Sequence, residues 1–170
     1  APGREIANKI VGVVGLGAIG QRTAELSQAF GCKVIAWNRT HKDIKGVTIV
    51  DKETLFREAD IITLHLALND DTRDFVTAKE IALIKPSAII VNAARGPVIN
   101  AQDLADALKE GKISGAALDV YDVEPPLDKN NPLLSAPNTI LLPHIGFATK
   151  EAFELRLGIV VRNVENFCNR

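Results

Sequence analysis

Residues 9–20 read Lys9-Ile10-Val11-Gly12-Val13-Val14-Gly15-Leu16-Gly17-Ala18-Ile19-Gly20, and the glycines at 15, 17 and 20 decide how the rest of the chain is understood. Lys9 to Val14 is an apolar, β-branched run that predicts a strand, and Ala18 to Phe30 predicts a helix closed by Gly31. Between them lies GxGxxG. In such a turn Gly15 permits the tight bend, Gly17 lets the backbone approach a pyrophosphate, and Gly20 lets helix and strand pack closely. The helix N-terminus then offers free N–H groups and a positive dipole end to phosphates. The glycine pattern alone is a weak signal. Its strand–turn–helix setting favours dinucleotide binding over a purely structural glycine turn.

Working outward, apolar runs alternate with helical patterns. Strands are expected at Lys33 to Trp37, Val47 to Val50, Asp60 to Leu66, Ala88 to Asn92, Gly115 to Val120 and Thr139 to Leu142. Asp51 is the expected N-cap of a short helix, and Asn100 to Glu110 a helix with Asn100 as cap and Gly111 as stop. Phe147 to Cys168 reads as one long amphipathic helix. Strands that are apolar throughout imply a sheet covered on both faces. Alternation with helices makes it α/β: a doubly wound parallel sheet of the Rossmann dinucleotide-binding type. The expectation is a single dinucleotide-binding domain over residues 1–170, with the proline-bearing tract Asp122 to Pro137 inside it.

At 170 residues the chain is long enough for one domain with a substantial core. A formal net charge of −1 gives no electrostatic footprint for nucleic acid or an anionic membrane. No apolar run approaches the roughly 20 residues of a membrane helix. Cys32 and Cys168 have no metal-binding spacing and read as free thiols of a reducing cytosol, so a cytoplasmic, metal-free protein is expected. The start, Ala1-Pro2-Gly3-Arg4-Glu5, lacks an initiator Met and suggests a processed chain or an excised domain.

The end of the second strand is where an acidic side chain ordinarily binds the ribose 2′-hydroxyl of NAD. Here the sequence is Trp37-Asn38-Arg39-Thr40, without an acid. A carboxylate would repel a 2′-phosphate, whereas Asn38, Arg39 and Thr40 can bind one through charge-assisted hydrogen bonds. NADP is therefore the expected cofactor, with NAD the alternative if Arg39 is only a solvated loop charge. His41 and Lys42 read as solvated, though either could help with a 2′-phosphate. Trp37 reads as packing rather than stacking on adenine, and His65 as a packed histidine at the adenine edge.

Three groups follow strands on the carboxyl side of the sheet, where open α/β folds place ligands: Arg95 in NAARGP, Glu124, and His144 in PHIG. A guanidinium grips a carboxylate bidentately. A histidine trades a proton with an oxygen near neutral pH, oriented by a nearby carboxylate. Beside a nicotinamide, these parts suit reversible hydride transfer to a 2-oxo acid. Each also has a plainer reading: a structural histidine, a solvated loop acid, a helix-capping or locally paired arginine.

The ordered motifs GLGAIG (15–20), VNAARGPVIN (91–100), GAALDVYDVEP (115–125) and LPHIGFAT (142–149) resemble the D-isomer-specific 2-hydroxyacid dehydrogenase family from about Lys9 to Asn169. The resemblance implies that Arg95 anchors the substrate carboxylate and polarises its carbonyl, that His144 is the general acid/base, and that Glu124 is its partner. It implies that Gly15, Gly17, Ala18, Ile19 and Gly20 cradle the pyrophosphate, and that Asn38, Arg39 and Thr40 face the adenosine ribose. Leu66 and Ala67 would lie beside the adenine and Thr72 near the phosphate-side ribose. Ala93, Asp119 and Gly146 would hold the nicotinamide, Asp119 by accepting from its carboxamide. Asn38 departs from the family's usual acid, which puts NAD preference in doubt. Ala67 stands where the family commonly has the proline of HxP, and Glu124 argues against a formate-dehydrogenase-like variant with Gln there.

Members of that family carry a second, substrate-binding domain built from chain on both sides of the nucleotide domain. The expectation is that this sequence holds only the nucleotide half, with residues 150–170 the helix leading back to the substrate domain. The chain by itself is expected to bind dinucleotide and to turn over little. The family also tends to pair through its nucleotide domains, which implies a homodimer. The rival reading is a nucleotide-sensing module resembling the dehydrogenase-like transcriptional corepressors, which keep the same Arg/Glu/His set. The ordered motifs argue against another GxGxxG enzyme, such as a methyltransferase.

Overall fold

The structure is a computed structural model that describes residues 3–124 and 127–169. Of the residues named above, Ala1, Pro2 and Pro125 lie outside the described residues. Its seven strands are β1 (Ile10–Val14), β2 (Lys33–Trp37), β3 (Val47–Ile49), β4 (Ile61–Leu64), β5 (Ile89–Asn92), β6 (Gly115–Leu118) and β7 (Thr139–Leu141). They form one sheet in the order β3-β2-β1-β4-β5-β6-β7, every neighbouring pair parallel. The helices are α1 (Ala18–Ala29), α2 (Lys52–Glu58), α3 (Ala78–Ile81), α4 (Ala101–Lys109) and α5 (Lys150–Cys168).

The strands are apolar throughout because the sheet is covered on both faces. Val11 and Val13 of β1 join a core with Leu16, Ala24, Val34 and Ala36, on the side of α1. Val14 instead joins the larger core of Leu55, Phe56, Ile62, Leu64, Ile90 and Leu104, on the side of α2 and α4. The sheet grows outward from β1 through β2 to β3, then restarts on the other side at β4. That reversal between β1 and β4 opens a crevice at the carboxyl ends of the strands, where ligands bind in open α/β sheets.

Element ends differ from expectation in instructive ways. β4 stops at Leu64 rather than Leu66, because its partner β1 ends at Val14, where Gly15 turns the chain at φ +95°. His65, Leu66 and Ala67 are thereby released into the crevice. β6 stops at Leu118, although the Asp119 N–H still bonds the Asn92 carbonyl of β5 at 2.9 Å. α3 was not anticipated; it is a single turn nucleated by a capping box in which Thr77 and Glu80 satisfy each other's backbone. Short 3-10 turns at Gly96–Val98 and Pro132–Ser135 were likewise unforeseen. α5 begins at Lys150 with Thr149 as N-cap, so Phe147 precedes it. None of its described residues is buried, and Phe153, Leu157, Val160, Val164 and Phe167 form an exposed apolar stripe.

Candidate functional site

The glycine turn leaves open space at the N-terminus of α1. A Cβ on Gly20 would lie 2.0 Å from the Gly15 carbonyl oxygen, so α1 can lie against the turn only without a side chain there. A Cβ on Gly17 would meet nothing within 4 Å, and its φ of −69° suits any residue. The bare position therefore leaves space above the N-terminus of α1, where no side chain caps the first turn. Free N–H groups facing open space fit a pyrophosphate.

Beyond β2, Asn38 accepts the Leu16 N–H through Oδ1 at 2.8 Å and donates Nδ2–H to the Thr40 carbonyl at 2.7 Å. The Leu16 carbonyl accepts from Lys42 Nζ at 2.7 Å and from Gln21 Nε2 at 2.9 Å. Lys42 is thus not the solvated side chain expected from sequence: a charge-assisted bond folds it onto the glycine turn. His41 is exposed, as expected. Arg39 is also exposed and lies 3.7 Å from Asp71 across the crevice mouth. Trp37 packs on Phe75, ring centroids 4.8 Å apart, which favours its packing role. Thr72 donates to the Ala67 carbonyl at 2.7 Å, closing the turn that follows the crevice wall.

A cleft of about 420 Å³ runs from Ile19 past His65, Leu66 and Ala67 to Ala93 and Arg95. His65 Nε2 lies 3.0 Å from Thr63 Oγ1, and burial holds its pKa below the ordinary histidine value. Sequence reasoning overlooked Asn92. Its buried amide donates to the Arg95 carbonyl at 2.9 Å and accepts the Ala94 N–H at 3.0 Å, shaping the turn that presents Arg95. The available signal was a polar residue ending an apolar strand just before Gly-Pro. Arg95 itself is exposed, donating to the Ala94 carbonyl at 2.6 Å.

The other half of the site centres on His144. Its Nδ1 is 2.5 Å from Glu124 Oε2, while Glu124 Oε1 accepts the Tyr121 N–H at 2.5 Å. The carboxylate is held from both ends. With Nδ1–H donated to it, the imidazole presents Nε2 outward, free to carry or accept a proton. His144 adopts φ 54°, a left-handed conformation that costs energy in a non-glycine residue. Buried Asp119 secures it, accepting the Ile145 N–H through Oδ1 at 2.8 Å and the Gly146 N–H through Oδ2 at 2.7 Å. Each oxygen keeps a further lone pair for a ligand. An apolar hollow of about 510 Å³, walled by Tyr121, Leu141, Leu142 and Phe147, adjoins the pair.

The structure therefore brings Glu124 to His144 and Asp119 to Gly146, and lines Ile19, Leu66, Ala67, Ala93 and Arg95 along one cleft. It does not bond Arg95 to the Glu124–His144 pair. Among the described residues no cluster suits a metal ion, and no helix is long and apolar enough to cross a membrane.

Residues 1–146 match the model of the D-isomer specific 2-hydroxyacid dehydrogenase NAD binding domain. The chain is 42% identical over 169 residues to a glyoxylate reductase of Thermococcus litoralis, covering 97% of this chain and 50% of that protein. Its fold superposes on an acyclic imino acid reductase in complex with NADPH and D-Arg with a TM-score of 0.87 and 36% identity, covering 98% and 53% of the two chains. It superposes equally, at 0.87 with 31% identity, on D-lactate dehydrogenase with NAD+ from Lactobacillus jensenii, covering 98% and 54%. The chain spans about half the length of these proteins.

Proposed function

The chain belongs to the D-isomer specific 2-hydroxyacid dehydrogenase family, as its NAD-binding domain, and on that premise we propose that it is the cofactor half of an enzyme interconverting a 2-oxo acid and a D-2-hydroxy acid. The observation that carries this reading is the Glu124–His144 contact, formed by loops that follow β6 and β7 of the parallel sheet whose β1 leads into the glycine turn.

Gly15, Gly17, Ala18, Ile19 and Gly20 would hold the pyrophosphate of the dinucleotide; Leu66, Ala67 and Thr72 would flank the adenosine side; Ala93, Asp119 and Gly146 would meet the nicotinamide. Bound there, the dinucleotide supplies or takes the hydride. Arg95, exposed and turned only onto its neighbour's carbonyl, is free to swing out, grip the substrate carboxylate and polarise the adjacent carbonyl. His144 Nε2 delivers a proton to the carbonyl oxygen during reduction and recovers it during oxidation. Glu124 keeps the ring in the tautomer that allows this, and Asp119 keeps its turn in place.

NADP is the preferred cofactor on this reading, since Asn38, Arg39 and Thr40 supply donors and no carboxylate at the ribose. Relatives bind either dinucleotide, NADPH in one solved complex and NAD+ in another. The exposed α5 leads toward the missing half of the enzyme, the protein works as a homodimer in the cytoplasm, and its substrates are small 2-oxo acids. The relatives named above are reductases and a dehydrogenase, which supports an enzyme over a corepressor-like sensor. The test is NADPH oxidation on addition of glyoxylate, hydroxypyruvate or phenylpyruvate by the protein extended to the length of its relatives. Turnover abolished by His144→Gln is expected; absence of turnover on every 2-oxo acid would point to the sensor.

A further inference from the structure

We propose that Lys42 is the cation that reads the 2′-phosphate of NADP, with Asn38 as the positioning residue that latches its loop to the glycine turn. The inference deepens the NADP reading above and rests on it. Leu16, the residue between the first two glycines, has both backbone groups held by the loop after β2: its N–H by Asn38 and its carbonyl by Lys42. The ribose of a dinucleotide lies between this turn and the end of β2. Lys42 Nζ therefore stands at the edge of the ribose site, with two of its three N–H donors still available.

The electrostatics single it out. The part-buried ammonium, bonded to the carbonyl of the residue before the N-cap of α1, sits near the positive end of that helix, an unfavourable place for a cation. Among the described residues no carboxylate pairs with it, whereas Arg39 already faces Asp71 across 3.7 Å of solvent-exposed space. An anion arriving at the ribose 2′ position would relieve both the repulsion and the missing partner. Asn38 is suited to hold the latch because an amide both accepts from Leu16 and donates to Thr40. A carboxylate could only accept.

Titration calorimetry of the 170-residue chain would use NADPH and NADH, with adenosine 2′,5′-bisphosphate and 5′-AMP as minimal probes. Lys42→Gln is expected to weaken NADPH and the bisphosphate by about 10-fold or more, and to leave NADH and 5′-AMP within about 2-fold. Lys42→Arg should keep the preference, and Arg39→Gln should cost less than Lys42→Gln. Equal losses for both dinucleotides would make Lys42 merely a brace of the glycine turn. No loss for either would give the reading to Arg39; both results overturn the proposal. A wild-type chain that binds NADH more tightly than NADPH would instead remove the NADP reading itself.

Discussion

Asp119 Oδ2 lies 2.7 Å from the amide nitrogen of Gly146, and a Cβ on Gly146 would stand 2.8 Å from that same oxygen. A buried carboxylate just after β6 thus fixes the turn that follows His144, and a side chain at Gly146 would press on it. Asp119→Ala removes the partner of two N–H groups and should lower unfolding free energy by about 1–3 kcal/mol, read as a shift in the urea midpoint. An unchanged midpoint would mean the turn is held by other contacts.

Gly17 and Gly20 should separate folding from binding. Gly20→Ala drives a Cβ into a backbone oxygen and should cost about 3 kcal/mol of stability. Gly17→Ala meets open space and a compatible φ, so it should cost about 1 kcal/mol or less. Its methyl group would nevertheless occupy the space proposed for the phosphate, and dinucleotide affinity should fall roughly 10-fold or more. Calorimetric titration and thermal unfolding of both variants check this; full affinity in Gly17→Ala would place the phosphates elsewhere.

Burial lowers the pKa of His65 below its unfolded value of 6.5. As pH falls below that value, the unfolded chain takes up a proton that the folded chain resists, so stability is lost toward acid and is complete above it. His65→Gln should flatten this acid limb. Thermal unfolding of wild type and variant between about pH 5 and pH 7.5 measures it, and parallel curves would contradict the assignment.

The chain alone carries the glycine turn, Arg95 and the Glu124–His144 pair but spans about half of its relatives. It should bind dinucleotide while reducing glyoxylate, hydroxypyruvate and phenylpyruvate slowly or not at all. Brisk turnover by the 170-residue chain would mean that its own apolar hollow suffices for substrate.

Much of this was legible in the sequence because strand and turn signals are local. GLGAIG declares its own strand, turn and helix, and Asp51 and Asn100 cap the helices they were expected to cap. What escaped depends on contacts between distant residues. The ends of β4 and β6 are set by where neighbouring strands stop, which no single strand encodes. Lys42 reads as a loop charge until the fold brings it to Leu16, 26 positions away. The structural duty of Asp119 is likewise silent in the sequence: its oxygens hold the N–H groups of Ile145 and Gly146, 26 and 27 positions away, besides the carboxamide role the resemblance implies. The four residues of α3 are too few for a periodic signal, and their capping box becomes plain only with Glu80 folded back on Thr77.

The most direct test of the dinucleotide site is a crystal structure of this chain grown with NADPH. The pyrophosphate is expected against the N-terminus of α1 over Gly17, the 2′-phosphate at Lys42, and the nicotinamide between Ala93 and Gly146 with its carboxamide at Asp119. A dinucleotide seated anywhere other than the crevice between β1 and β4, or a nicotinamide turned away from His144, would contradict the assignment of this cleft.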